Sequence, residues 1–226
     1  MKVMTYNIRG GWGIDGVRST ERIANVIRAH SPDIVLFQEV HQRMPKSLFV
    51  DQPGRLQRAL GMPFIFQVNL RLGIGNYGLG IASPFPAQLV QNHLLPSVRE
   101  QRGVLQVQLE TDQRVITVYC THWGLNGGER ERQSAHLSEL VSGTTGPMII
   151  GGDFNEGPDG SAIKSLLART GLSDADAEQN RCTYPADMPE ARIDYLLYSA
   201  DLTLKGLTPL VTPASDHLPL IAEFEW

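Results

Sequence analysis

The chain has 226 residues, 19% of them charged, with a formal net charge of −4, which allows one large core and excludes the globally basic surface that grips nucleic acid by bulk electrostatics. Two cysteines, Cys120 and Cys182, are too few for a disulfide framework and lack metal-pair spacing. No apolar run is long enough to span a membrane and no signal core stands at the N-terminus, so the expectation is a single domain over residues 1–226 in the cytoplasm, with secretion left open for a chain trimmed of a leader.

Val3 to Ile8 reads as a first strand, followed by a loop with Gly10, Gly11, Gly13, Gly16 and Trp12. The spacing of Ile23, Val26 and Ile27 predicts a helix that starts near Thr20 and stops at Ser31-Pro32. Asp33 to Glu39 is a buried-type strand that ends on an acid. A short helix is expected from Pro53 to Leu60, stopped by Gly61. Strands then follow one another at Phe64–Leu70, Tyr77–Ala82, Gln88–Leu94, Val104–Leu109 and Arg114–Thr121, a mostly antiparallel middle. Helical spacing returns over Glu129–Val141 and Ser161–Ala168. Further strands are expected at Met148–Ile150, Ile193–Tyr198, Leu202–Leu207 and Leu218–Phe224. Two sheets packed face to face, with helices outside, satisfy the burial demands of this order best.

The stretch Gly151-Gly152-Asp153-Phe154-Asn155 follows the apolar run Pro147–Ile150 and reads as a strand ending in a tight glycine turn, which brings Asp153 and Asn155 out together at the strand's C-terminal edge. Other polar residues also end predicted strands: Asn7 in Thr5-Tyr6-Asn7-Ile8, Glu39 in Gln38-Glu39-Val40, and His122 in Thr121-His122-Trp123. Asp194 in Arg192-Ile193-Asp194-Tyr195, and Asp216-His217, complete the set. A carboxylate to handle water, an amide donor, a metal ligand and an imidazole form a kit for phosphate-ester hydrolysis.

In this order, the motifs resemble those of the endonuclease/exonuclease/phosphatase superfamily, which includes deoxyribonuclease I, and the resemblance runs from Asn7 to Pro219. It implies a four-layered α/β/β/α sandwich of two mixed, mainly antiparallel sheets. It further implies that Glu39, helped by Asn7 and Asp216, binds Mg²⁺, with Mn²⁺ as a substitute; hard oxygen donors suit such an ion. His217 matches the catalytic histidine and Asp194 the aspartate that holds it; an ordinary ion pair of Asp194 with Arg192 is the alternative, and both can hold at once. Asp153 would orient or deprotonate water, Asn155 would donate to phosphoryl oxygens, and His122 would protonate the leaving oxygen or contact the phosphate. Arg102 is a candidate phosphate donor. Trp12, Tyr77 and Trp123 stand beside these segments as candidate stacking surfaces or as core. The segments Gly78–Pro84 and Thr183-Tyr184-Pro185 also match the family and are explained equally by packing and turns.

These implications describe a metal-dependent phosphodiesterase, nuclease-type or general, acting on a phosphate ester; the sequence leaves the oligomeric state open, with a monomer favoured. A sphingomyelinase-like lipid phosphodiesterase or an inositol-phosphate phosphatase is the alternative, and an inactive binding module of the same fold the remote one. Nucleic acid and lipid both stand as partner classes. The exposed-type cations Arg99, Arg102, Arg130, Arg132 and those of His41–Lys46 are interleaved with acids or neutral residues and read as a solvated face.

Overall fold

The computed structural model describes residues 1–226. Its first sheet is built on β1 (Lys2–Asn7) and β2 (Ile34–Gln42), which run parallel in register from Val3↔Ile34 to Asn7↔Gln38. Both are buried along nearly all of their length, as strands covered on both faces are. A parallel pair needs a crossover. Helix α1 (Thr20–His30) supplies it, with the Ser19 side chain accepting from the Arg22 amide at its start. Strands β3 (Phe64–Leu72) and β4 (Gly75–Ala82) add beyond β2, and β11 (Thr203–Pro209) and β12 (Leu220–Glu225) beyond β1, giving the order β11-β12-β1-β2-β4-β3.

The second sheet repeats the plan. Strands β7 (Val115–His122) and β8 (Met148–Asp153) are parallel and joined through α3 (Gly127–Ser142). They are flanked by β5 (Ala87–Leu94) and β6 (Gly103–Glu110) on one side, and by β10 (Asp194–Tyr198) and β9 (Ser173–Asp174) on the other. Between the sheets lies a core that includes Val3, Leu36, Ile81, Val107, Val118, Ile149 and Leu196. Ile23 and Ile27 of α1 and Leu56 of α2 (Gln52–Leu60) cover the outer face of the first sheet, against Tyr6 and Phe37. Leu137 of α3, with Ile163 and Leu166 of α4 (Ser161–Thr170), covers the second, against Tyr119 and Tyr195. The four layers are therefore α/β/β/α, as the sequence implied. No helix is long and apolar enough to cross a membrane.

The glycine pair differs from expectation. Gly151 and Gly152 form no turn; β8 continues through them to Asp153. Their lack of a side chain serves packing instead. A Cβ on Gly151 would lie 2.5 Å from Cδ1 of Leu36 in the facing sheet, and one on Gly152 only 2.0 Å from the Thr121 carbonyl oxygen of the neighbouring strand. The two-residue strand β9 was not foreseen, because Ser-Asp carries no strand pattern.

The two central parallel pairs, β1/β2 and β7/β8, end at one rim of the molecule, where their terminal side chains meet across the gap between the sheets.

Candidate active site

Local backbone places each group. Asn7 is the last residue of β1. Glu39 sits at an irregularity in the β2–β4 pairing, between Phe37 and Val40, with φ +56°. Such a bulge re-aims a side chain, and a non-glycine residue at positive φ is uncommon. In the second sheet, His122 pairs with Asp153 and Asp153 with Asp194, so three strands deliver three functional groups at one level. The loop carrying Asp216 and His217 is tied down by the Ser215 hydroxyl, which donates to the Asn7 carbonyl at 2.7 Å, and by the Leu218 amide, which donates to the Thr183 carbonyl at 2.8 Å.

These residues form a connected chain of contacts. The Asn7 amide nitrogen donates to Oε1 of Glu39 at 3.2 Å and to Oδ2 of Asp153 at 3.0 Å. Around the same Asp153 oxygen stand His122 Nε2 at 3.4 Å and His217 Nε2 at 3.7 Å. His217 Nδ1 is 2.9 Å from Oδ2 of Asp194, which also accepts from the Thr183 hydroxyl at 2.6 Å. Asn155 (φ +48°) caps the other Asp153 oxygen through its backbone amide at 2.9 Å, and its side-chain nitrogen donates to the Trp123 carbonyl at 2.9 Å. Asn7, Glu39, Asp153, Asn155, Asp194, His122 and His217 are thus brought together.

Burial and charge set the protonation states. Burial raises the Asp153 carboxyl to about 7, opposed by His217 and reinforced by Asp194. For His217, burial acts downward, but the charges of Asp194 and Asp153 and the hydrogen bond that Nδ1–H donates to Asp194 outweigh it and raise the imidazole to about 10. His122 moves the other way: burial, then Arg102 and the charge of His217, hold it well below the ordinary histidine range. At neutral pH, His217 is therefore an imidazolium and His122 a neutral ring. A neutral His122 holds one ring proton, with which it can donate to a phosphate oxygen.

Several expectations need correction or completion. Trp123 is fully buried and packs edge-on against Phe154, with centroids 4.6 Å apart, so its ring is core and only its carbonyl serves the site. Arg192 lies 2.5 Å from Asp174, not on Asp194, and the ion-pair reading of Asp194 falls away. Arg130 is occupied by Glu156 and two loop carbonyls. Arg102 is buried and lines the cavity; its Nη1 lies 2.7 Å from Oε1 of Glu100 without the alignment of a hydrogen bond, so the guanidinium keeps donor capacity. Tyr77 and Trp12 line the same cavity, of about 590 Å³. Sequence reasoning missed Arg9, whose Nε is 3.2 Å from Asp216, while Tyr184, of the Thr183-Tyr184-Pro185 segment, stands at the site with its ring centroid 4.8 Å from that of His217. An arginine two residues past a strand carries no sequence signal for such a contact.

Two groups of side chains compete as a cation site. One ligand atom each from Asp153, Asp194 and His217 lies within 4.8 Å of the others. A protonated His217, bound through Nδ1 to Asp194, repels a cation there. Glu39 fits better. Burial raises its carboxyl, the hydrogen bond from Asn7 lowers it, and the neighbouring charge of Asp216 raises it again. Two mutually repelling carboxylates facing one cavity form an oxygen donor set that a divalent ion would relieve. Asn7 presents its nitrogen to Glu39 and its oxygen to the Arg9 amide at 3.1 Å, so its amide would have to turn to become a ligand.

The chain resembles known proteins along its whole length. Over 113 residues it is 27% identical to a UPF0294 protein of Yersinia enterocolitica, covering 49% of this chain and 42% of that protein. Identity to a UPF0294 protein of Vibrio cholerae is also 27%, with 49% and 39% covered. The chain thus spans about two fifths of the length of the curated relatives it matches. Among solved structures, an endonuclease/exonuclease/phosphatase of Beutenbergia cavernae superposes with a TM-score of 0.83 at 23% identity, covering 100% of this chain and 71% of that one. A mannosyl-6-phosphatase of Bacteroides thetaiotaomicron gives 0.82 at 19% identity with 100% of both chains covered, and the human Nocturnin catalytic domain 0.79 at 23% with 100% and 94% covered. At these identities the likeness establishes the fold. Residues 4–217 match the sequence pattern of the Endonuclease/Exonuclease/phosphatase family, and the chain belongs to that family, whose members are generally hydrolases of phosphoester bonds.

Proposed function

We propose that this protein is a divalent-metal-dependent phosphodiesterase that cleaves a P–O bond by in-line attack of water. The observation that carries the reading is Asp153 on the cavity wall, with one carboxylate oxygen facing Asn7, His122 and His217 together. A carboxyl raised to about 7 is matched to taking a proton from water near neutrality. As the water oxygen bonds to phosphorus, its proton passes to Asp153 and the bond to the leaving oxygen breaks; that oxygen then takes a proton from the imidazolium of His217 or from solvent.

Charge on the phosphoryl group is met by His217, by the ring N–H of His122, and by the Asn155 amide proton not used on Trp123. Glu39 and Asp216, with Asn7 after its amide turns, would hold Mg²⁺ or Mn²⁺, which when bound polarises the phosphoryl oxygen. Diesters suit this charge balance better than monoesters. Arg102 and Arg9 already stand beside Glu100 and Asp216, so few free cations face a dianion.

A panel of bis(p-nitrophenyl) phosphate, p-nitrophenyl phosphate, DNA, RNA and phospholipid, run with Mg²⁺, tests the reading. Turnover of diesters above monoesters supports it; monoester turnover alone refutes the diester assignment.

A further inference from the structure

Two neighbouring segments extend the first sheet past the cavity mouth: the loop 43–50 after β2 and the turn at Gly73-Ile74 between β3 and β4. The loop closes on itself through the Arg43 amide to the Val50 carbonyl at 2.8 Å and the Phe49 amide to the Met44 carbonyl at 3.0 Å. It abuts the turn, because a Cβ on Gly75 would lie 2.8 Å from the Met44 sulfur and Asn76 donates to Gln42 at 2.8 Å. Met44 and Leu72 line the cavity, so both segments stand at its rim.

Large apolar side chains are exposed on both segments. Leu48 and Ile74 are each 74% exposed, Phe49 is 56% exposed and Leu72 51%. Leu48 and Phe49 also carry φ of +53° and +58°, a backbone that bulky side chains rarely adopt, and in it both side chains stand in solvent. One exposed leucine means nothing; adjoining ones beside a site mark an interaction surface. The charge is one-sided as well. Residues 43–50 and 70–76 contain Arg43, Lys46 and Arg71 and no acid, in a chain whose net charge is −4.

We propose that this rim docks the protein on an anionic lipid bilayer, with Leu48, Phe49 and Ile74 entering the boundary between headgroups and acyl chains while Arg43, Lys46 and Arg71 meet the phosphates. Apolar insertion combined with cations at headgroup depth is the chemistry of interfacial binding. An acidic protein is otherwise repelled by such a membrane, so the local charge also selects the orientation in which the cavity faces lipid. Nucleic acid fits the rim less well, since three of its four exposed apolar side chains, Leu48, Leu72 and Ile74, are aliphatic and give bases no stacking platform, which leaves Phe49 as a single ring. Resting on the phosphodiesterase reading, the substrate class that follows is a lipid headgroup phosphodiester.

Co-sedimentation with phosphatidylcholine vesicles, with and without phosphatidylserine, tests the docking. Wild-type protein binds the phosphatidylserine vesicles. The triple variant Leu48→Asn/Phe49→Asn/Ile74→Ser, in which asparagine tolerates the positive φ, loses binding on the order of 100-fold. Arg43→Gln/Arg71→Gln loses roughly 30-fold, at about a kilocalorie per cation. Both variants hydrolyse bis(p-nitrophenyl) phosphate in solution at the wild-type rate, which reports an intact fold. Wild-type protein that ignores phosphatidylserine vesicles, a triple variant that binds as tightly as wild type, or capture of a single-stranded oligonucleotide in preference to vesicles would overturn the proposal. Vesicle binding with this pattern but no hydrolysis of any diester supports the docking and defeats the phosphodiesterase reading instead.

Discussion

Asp194 holds His217 by its Nδ1 at 2.9 Å and so turns Nε2 toward Asp153. The carboxylate also keeps the ring charged, since the charges of Asp194 and Asp153 together overcome the downward push of burial. Asp194→Asn keeps the shape, removes the charge and leaves Thr183 as a partner. Its kcat on a diester should fall at least 10- to 100-fold, the range for losing a group that orients a catalytic one. A protonated His217 is lost as pH rises through its pKa, so the alkaline limb of the rate profile should move to lower pH in this variant. An unchanged limb would remove Asp194 from the account.

His122 supplies a neutral ring, because burial, Arg102 and His217 all disfavour its protonation. Its loss should therefore weaken phosphate contact without regard to the leaving group. His122→Ala is expected to slow an alkyl diester and a nitrophenyl diester by similar factors, each about 100-fold. A much larger loss on the alkyl ester would restore the leaving-group proton to His122.

His41 offers a test of folding by pH. Burial first, then Lys46 and Arg18, lower its pKa from 6.5 to about 4. The unfolded chain takes up this proton near pH 6.5 and the folded one only near 4. The associated stability is thus fully present above pH 6.5 and is lost as pH falls toward 4, by at most roughly 3 kcal/mol. Denaturant titrations of wild type and His41→Gln between those pH values should show a steeper decline for wild type; parallel curves would contradict the assignment.

The closeness of the sheets at Gly151 predicts a measurable strain. A methyl there meets Leu36 and Leu196, with the nearest contact at 2.5 Å. Gly151→Ala should cost about 1–3 kcal/mol and lower the melting temperature by roughly 2–4 °C for each kilocalorie. Calorimetry that finds no change would mean the sheets separate freely.

Much of this was legible in the sequence because the fold depends on buried strands, whose apolar runs are continuous, and because the chemistry sits at their ends. Asn7, Glu39, His122 and Asp153 each follow such a run. Asp194 and His217 were legible as motifs, but their 2.9 Å contact comes from a loop docking on Asn7 through Ser215, which no local pattern encodes. The glycine pair was misread because a glycine before Asp153 looks the same whether it makes a turn or admits a facing sheet. Trp123 stood as a stacking surface or as core, because its neighbour His122 faces the cavity; its own ring enters the core under α3 and α4. The rim of Leu48 and Phe49 was invisible for a related reason: an apolar pair in sequence is ordinarily a buried one.

The central claim is that Glu39 and Asp153, drawn from different sheets and linked through Asn7, serve one cation-assisted hydrolysis. Its most direct measurement is the rate of bis(p-nitrophenyl) phosphate hydrolysis by wild type, Glu39→Gln and Asp153→Asn, with Mg²⁺ and with chelator. The account predicts Mg²⁺-dependent turnover in wild type, abolished by chelator, and a loss of at least about 100-fold in each variant. Wild-type turnover that survives chelation, or a Glu39→Gln variant as active as wild type, would contradict it.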